Sequence, residues 1–511
     1  MREKLAELKR LLGEVSDLNA AAAVLYWDQV TQMPPQGASA RGRQSATLSR
    51  LSHQLLTSPQ VGRLLDELAP YGETLPHDCD EASLLRVARR DWDRATKVPS
   101  SFIAELSAHQ SETYEVWSRA KEAADFPRVA EHLKRTVELS RRLAGFFPGF
   151  DHIVDPLIEE HDPGMTVATL RPLFAELRMG LAPLVERIAA CDPADEACLH
   201  LGYPRAEQAA FCTFLQKRIG YDFSRGRREI SPHPFTISFG VNDVRLTVRI
   251  REDDLGEALF AAIHETGHAL YEMGVSPDLD GGLLAGGVSS GMHESQSRLW
   301  ENIVGRSRPF WAFFYPRLQG AFPGQLDDVA LETFYRAINA VRPSLIRTEA
   351  DELTYNLHVM IRFDLECQLL EGSLSVLDLP DAWNARYEQD LGVTPPSDRE
   401  GVLQDVHWFG GIVGGAFQGY TLGNVMAAQI HGAALAAHPN IEHDMEHGRC
   451  DTLLGWLGEH IYRHGRKFQP EELIRRATGA PLSVRPYMRY LATKYGELYN
   501  VGDLAVPGPS S

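Results

Sequence analysis

Nowhere in this chain do the eighteen or so apolar residues of a membrane-spanning helix run together. No apolar signal core follows the charged start Met1-Arg2-Glu3-Lys4-Leu5. The expectation is a cytoplasmic protein with no membrane partner. Positive charge is also short: 51 Lys and Arg against 69 Asp and Glu leave a formal net charge of −18. That balance repels phosphate backbones and anionic lipid headgroups, which argues against a nucleic-acid partner. Cysteine is scarce, and residues 79, 191, 198, 212, 367 and 450 form no close C-x-x-C pair. A zinc ribbon and a dithiol redox centre are thereby disfavoured, leaving reduced structural thiols. Repeats of fixed period are absent, and the sole low-complexity stretch is the end, Val506-Pro507-Gly508-Pro509-Ser510-Ser511.

What is present is mostly helical periodicity. Ala/Leu/Arg/Glu-rich segments at 1–25, 101–145, 167–189, 327–341 and 349–371 predict a mainly α fold. Loops are expected at Thr31–Ala38, Pro70–Asp80, Gly274–Gly291 and Thr394–Asp398, where Pro and Gly gather. None has the blandness of a disordered linker, so one compact unit with lobes is expected. The exception to helix is residues 230–250, where Ile237, Phe239, Val241, Val244, Leu246, Val248 and Ile250 are interleaved with polar residues around Gly240-Val241-Asn242-Asp243. This pattern predicts a small β-hairpin leading into the next helix.

That next helix carries His264-Glu265-Thr266-Gly267-His268 within an apolar run. Residues four apart share a helix face, so His264 and His268 can reach one divalent cation. Glu265, about 100° round the helix, is placed to hold a water on that cation. A hydrolytic site of this kind takes a third protein ligand and keeps a position open. Glu272 lies about 12 Å along the axis from His264 and cannot converge with it; Glu257 reaches only by folding back. Glu294 is better placed, because Gly281-Gly282 to Gly291 permits a reversal before the run Glu294–Glu301. The competing reading makes it a first-turn carboxylate favoured by the helix dipole. Adjacent helical residues point about 100° apart, so His293 does not ligate beside Glu294.

Six pieces, the His264–His268 motif among them, stand in one order: His233-Pro234-Phe235; Asp243-x-Arg245-x-Thr247; His264-Glu265-x-x-His268; His293-Glu294-Ser295-Gln296; Ile346-Arg347-x-x-Ala350-Asp351; and Gly401-x-x-Gln404-Asp405-x-His407-Trp408. Together with Tyr26-Trp27-Asp28-Gln29 and Met33-Pro34, they resemble the Taq-type metallocarboxypeptidases, a family of HExxH enzymes that remove C-terminal amino acids. The resemblance implies a saddle- or clam-shaped helical catalytic unit with a deep groove, spanning 1–511 as one domain. Its mostly helical N-terminal part would run over about 1–225 and its catalytic part over about 226–505. It further implies His264, His268 and Glu294 as metal ligands, Glu265 as the catalytic carboxylate, peptide substrates with a free C-terminus, and a homodimer.

One divalent ion per chain is expected, zinc by preference, with cobalt or manganese suited to similar geometry. A carboxypeptidase also needs a cation for the substrate's terminal carboxylate, which Arg recognises with a paired-donor fork. Arg347 is preferred for that task; Arg245, in the hairpin, would close the end of the groove. His233 is grouped with them on the substrate side. His407 and Tyr420, flanking the glycine-rich Gly410–Gly419, are candidate donors to the developing oxyanion. Asp351 and Asp405 are candidates to support the ligating imidazoles. The alternatives are an oligopeptidase or dipeptidyl carboxypeptidase on a related helical scaffold, or a metal-stabilised binding protein without turnover.

Overall fold

The computed structural model describes residues 1–502. The low-complexity end at 506–511 and the expected limit of the catalytic part at 505 lie outside the described residues. As expected, the fold is mainly helical with one small sheet. No helix among the described residues is long and apolar enough to cross a membrane, and the six cysteines are all free.

The first helix, Arg2–Thr31, buries Leu5, Leu8, Leu12 and Val15, a three-four spacing that lays one stripe against its neighbours. With helices Pro59–Glu73 and Asp80–Lys97 it closes a small apolar cluster, to which Leu279 and Leu284 also belong. Most remaining helices share one larger core around Trp300, Trp311 and Trp383. Four expected boundaries differ. Segment 101–145 is two helices, Ser100–Ala123 and Pro127–Gly145. Ala124 adopts a left-handed conformation between them (φ 53°), and Pro127 starts the next helix as a fixed N-terminal residue. The loop expected from Pro70 begins only at Thr74, because Pro59–Glu73 runs through Pro70. Pro70 is exposed while Leu68, fully buried, anchors that turn. The helices expected at 327–341 and 349–371 shorten to Leu331–Ala337 and Tyr355–Glu371.

The hairpin is present and gains a strand. Strands β1 (Arg228–Ile230), β2 (Thr236–Gly240) and β3 (Asp243–Val248) are ordered β1-β3-β2. β1 runs parallel to β3 and β2 antiparallel, with Gly240 facing Asp243 across the two-residue turn. Val244, Leu246 and Val248 are fully buried, as the period of two requires, and β3 packs on helix Leu255–Met273. β1 is three residues long and begins Arg-Glu, so it carries no alternation to read.

Candidate metal centre

Helix Leu255–Met273 starts at Asp254, whose side chain accepts the Glu257 N–H as an N-cap. Thirteen of its nineteen residues are buried, so it is a central rod of the core, and His264 and His268 stand on its partly open side. After the glycine-rich reversal, helix Ser290–Arg298 brings in Glu294 and continues as a π-helical segment, Leu299–Val304. Wide turns of this kind are frequent at functional sites. Two glycines set the spacing. A Cβ at Gly267 would lie 2.6 Å from the Gln296 carbonyl oxygen and 2.7 Å from Ser297 Cα. A Cβ at Gly423, on helix Gln418–Ala437, would lie 2.7 Å from Glu294 Cβ. The Glu294 helix is thus gripped from both sides at a distance no other residue permits.

The result is a convergent donor set. One ligand atom from each of His264, His268 and Glu294 lies within 4.8 Å of the others. Glu294 Oε2 is 3.5 Å from His268 Nε2 and 3.8 Å from His264 Nε2. Tetrahedral ligands about 2.1 Å from one zinc-sized ion sit roughly 3.4 Å apart, so these residues fit a small divalent cation with little movement. Arg298 Nε occupies the other oxygen, Oε1, at 2.7 Å, while Oε2, which also accepts from Ser297 Oγ at 3.1 Å, faces the imidazoles. Burial works to raise the Glu294 carboxyl, but Arg298 and His264 hold it well below the usual carboxylate range.

Each imidazole is backed on its far side. Glu301 Oε2 lies 2.8 Å from His264 Nδ1 and also accepts from Arg298 Nη1 at 3.1 Å. Although burial opposes it, Arg298 and the bond from His264 bring Glu301 down to about 2. The ionised carboxylate can only accept, so His264 carries its proton on Nδ1 and offers Nε2. His268 is held down to about 4 by burial and is therefore neutral, with a lone pair to give. Its Nδ1 meets His293 Nδ1 at 2.7 Å, and His293 Nε2 meets Glu272 Oε1 at 2.8 Å.

The sequence-based candidates for this support are therefore displaced. Asp351 is spent as a local cap, accepting the N–H groups of Arg342, Leu353 and Thr354. Asp405 accepts from Arg347, Arg362 and His407 instead. Glu301 stood in the run following Glu294, seven positions on and on the same face, which was the available signal. Glu272, rejected as a ligand, contributes through His293.

Glu265 is 5% exposed and burial raises its carboxyl. Thr236 of β2 steadies it with a hydroxyl whose one proton is shared between Oε2 at 2.7 Å and the backbone carbonyl at 2.9 Å.

A second cluster joins the first through Tyr355. The Arg298 guanidinium lies 4.5 Å from the Tyr355 ring centre, and Arg347 Nη1 donates to Tyr355 Oη at 3.0 Å. Asp405 receives Arg347 Nε at 2.7 Å and Nη2 at 3.0 Å, as well as Arg362 Nε at 2.7 Å. Burial works to raise Asp405, but Arg362, His407 and Arg347 hold it well below its ordinary value. Asp405 also meets His407 Nδ1 at 2.9 Å, and His407 Nε2 lies 3.3 Å from Tyr420 Oη. Arg347, His407 and Tyr420 are thus brought together. Tyr355 and Arg362 complete the cluster without any spacing signal in the sequence. Behind it, Trp408 Nε1 donates to Glu366 at 2.7 Å, and burial pushes Glu366 up to about 7.

Arg245 and His233 stand apart from this cluster. Arg245 forks onto Asp243 with both contacts at 2.7 Å and lies over Phe239 and Trp27. His233 is exposed and is bonded through its carbonyl, which accepts from Ser231 Oγ.

A helical chain whose HExxH pair meets a carboxylate from a second helix has the donor set of a metallohydrolase. The particular lineage is settled by comparison: the chain belongs to the carboxypeptidase Taq (M32) metallopeptidase family, whose sequence profile matches residues 7–495. It is 41% identical to thermostable carboxypeptidase 1 of Thermus thermophilus over 509 residues, covering 97% of this chain and 98% of the relative. Carboxypeptidase 1 of Bacillus subtilis is 36% identical, with 96% and 97% covered. The crystal structure of the M32 carboxypeptidase from Deinococcus radiodurans R1 superposes with a TM-score of 0.95 at 46% identity, covering 98% of this chain and all of that one. The chain is accordingly a metallocarboxypeptidase, and peptides are its substrate class.

Proposed function

We propose that this metallocarboxypeptidase releases single C-terminal residues from peptides with broad specificity, using one zinc-type ion held by His264, His268 and Glu294. The observation that carries the reading is the donor set itself, three atoms within 4.8 Å of one another with Glu265 beside them. A divalent cation held there would supply Lewis-acid polarisation and would bring the pKa of water toward about 7. Glu265 takes the proton of the attacking water and returns it to the leaving amine; its burial-raised pKa suits both halves of that task.

Arg347 has five N–H groups. Three are spent on Asp405 and Tyr355, which leaves one on each terminal nitrogen. Those two form the fork for a terminal carboxylate, with Asp405 fixing its plane. Tyr420 presents its O–H to the developing oxyanion, and His407, oriented by Asp405 on Nδ1, positions that hydroxyl through Nε2 at 3.3 Å. Arg245 closes the groove end, and His233 belongs to the outer substrate wall. A cytoplasmic location accords with the free cysteines, and the homodimer implied by the resemblance belongs to the same reading.

Incubating the metal-loaded protein with a mixed peptide library, followed by mass spectrometry, tests the reaction. Stepwise loss of single C-terminal residues, stopped by chelator and by Glu265→Gln, is the expected result. Undiminished release by Glu265→Gln refutes the mechanism, and loss in steps of two residues assigns a dipeptidyl carboxypeptidase instead.

A further inference from the structure

His293 precedes Glu294 in the His-Glu-Ser-Gln motif and meets His268, and the direction of that contact decides what it does. Its surroundings are specific. Glu272 Oε1 receives His293 Nε2 at 2.8 Å and the Gly287 N–H at 2.9 Å. Burial works to raise the Glu272 carboxyl, but the bond from His293 and the ring's proximity bring it below its ordinary value, so it is an acceptor. With that oxygen accepting, His293 Nε2 is the donor and Nδ1 is the nitrogen left to accept.

Two imidazole nitrogens, His293 Nδ1 and His268 Nδ1, face each other at 2.7 Å. One proton lies between them. Since His293 Nδ1 accepts, His268 Nδ1 donates, and the lone pair of His268 is confined to Nε2, the atom 3.5 Å from Glu294 Oε2. In the other tautomer, His268 would place a hydrogen where a cation must sit.

We infer that Glu272 and His293 form a two-step relay, Glu272 to His293 to His268, whose task is to hold His268 in the single tautomer that can ligate the cation. These are positioning residues, and the inference rests on the metal centre proposed above. The two ligating imidazoles are then supported unequally. His264 is backed directly by the carboxylate of Glu301; His268 is backed by the ring of His293, with the carboxylate of Glu272 one step further out.

Both bonds to Glu272 end on the same oxygen, which makes the relay testable by substitution. In Glu272→Gln the amide oxygen can take both bonds and the tautomer survives. In Glu272→Leu the acceptor is gone, His293 is free to turn its proton to Nδ1, and His268 is pushed to the wrong tautomer. His293→Phe removes the link itself.

The measurement is Zn²⁺ affinity of the metal-stripped full chain, by competition with a chromophoric chelator. Glu272→Leu and His293→Phe are expected to weaken binding by about 10- to 100-fold, with Glu272→Gln within about threefold of the parent. Parent-like affinity in both Glu272→Leu and His293→Phe overturns the relay. So does an equal loss in Glu272→Gln, because charge rather than tautomer would then be the cause. Glu294→Ala separates the two levels: if it binds Zn²⁺ as tightly as the parent, the metal centre itself is misassigned. Should Glu272→Leu fail to fold, the ¹⁵N-histidine spectrum of the zinc-loaded parent decides. Protons on His268 Nδ1 and His293 Nε2 are expected, and a proton on His293 Nδ1 overturns the proposal.

Discussion

Replacing Glu366 with Gln should stabilise the protein more at high pH than at low pH. Glu366 is 1% exposed, and burial moves its carboxyl from an ordinary 4.5 to about 7. A group whose folded pKa is raised binds more protons in the native state than in the unfolded state between those two values. Its favourable contribution is therefore complete below about 4.5 and is lost as pH rises through about 7. At 1.36 kcal/mol per pH unit, the stretch from 4.5 to about 7 is worth about 3 kcal/mol. Gln keeps the bond from Trp408 through its amide oxygen but has no proton to lose. The stability of Glu366→Gln relative to the parent should therefore grow by about 3 kcal/mol between roughly pH 4.5 and 8.5. For a chain of 511 residues that is about 3 °C in Tm. Differential scanning fluorimetry of both proteins across that range measures it. Tm curves that stay parallel refute the assignment of a neutral, titrating Glu366.

Three further outcomes follow from the geometry. Gly423→Ala places a Cβ 2.7 Å from Glu294 Cβ and should destabilise by about 1–3 kcal/mol through overpacking, with reduced metal content by elemental analysis; full metal content would show that Glu294 has slack. Arg347→Lys keeps a charge but loses the fork, so kcat/KM on peptides with a free C-terminus should fall by about 1.5–3 kcal/mol, while the slow turnover of C-terminal amides changes little. Arg245→Ala should let the enzyme cut a quenched fluorescent peptide blocked at both ends; continued resistance removes Arg245 from the closure of the groove.

Local periodicity made the helical class and the hairpin legible. The His264–His268 pair was legible for the same reason, since four residues of one helix decide its geometry. Glu294 could be narrowed to by reach alone. What could not be read were distances between segments remote in sequence. Asp351 and Asp405 have the residue type that supports a ligating imidazole, but the backbone N–H groups at 342, 353 and 354 claim one, and Arg347 and Arg362 claim the other. The break at Ala124 was hidden because apolar spacing continues across it, and β1 was hidden because it pairs through its backbone with β3, eighteen positions on (Arg228 with Leu246). Tyr355 and Arg362 gave no sign at all; their importance comes from what lies across from them.

The stretch from Glu294 through the wide turn to Glu301 places a proposed ligand and the support of another proposed ligand on one continuous rod, seven positions apart. One inserted or deleted residue between them would rotate one carboxylate about 100° away from the other. The rod could then serve His264 or the cation, but not both. Length variation, which surface loops absorb freely, is therefore closed to these eight positions, and in any lengthened or shortened version of this chain the change must fall elsewhere.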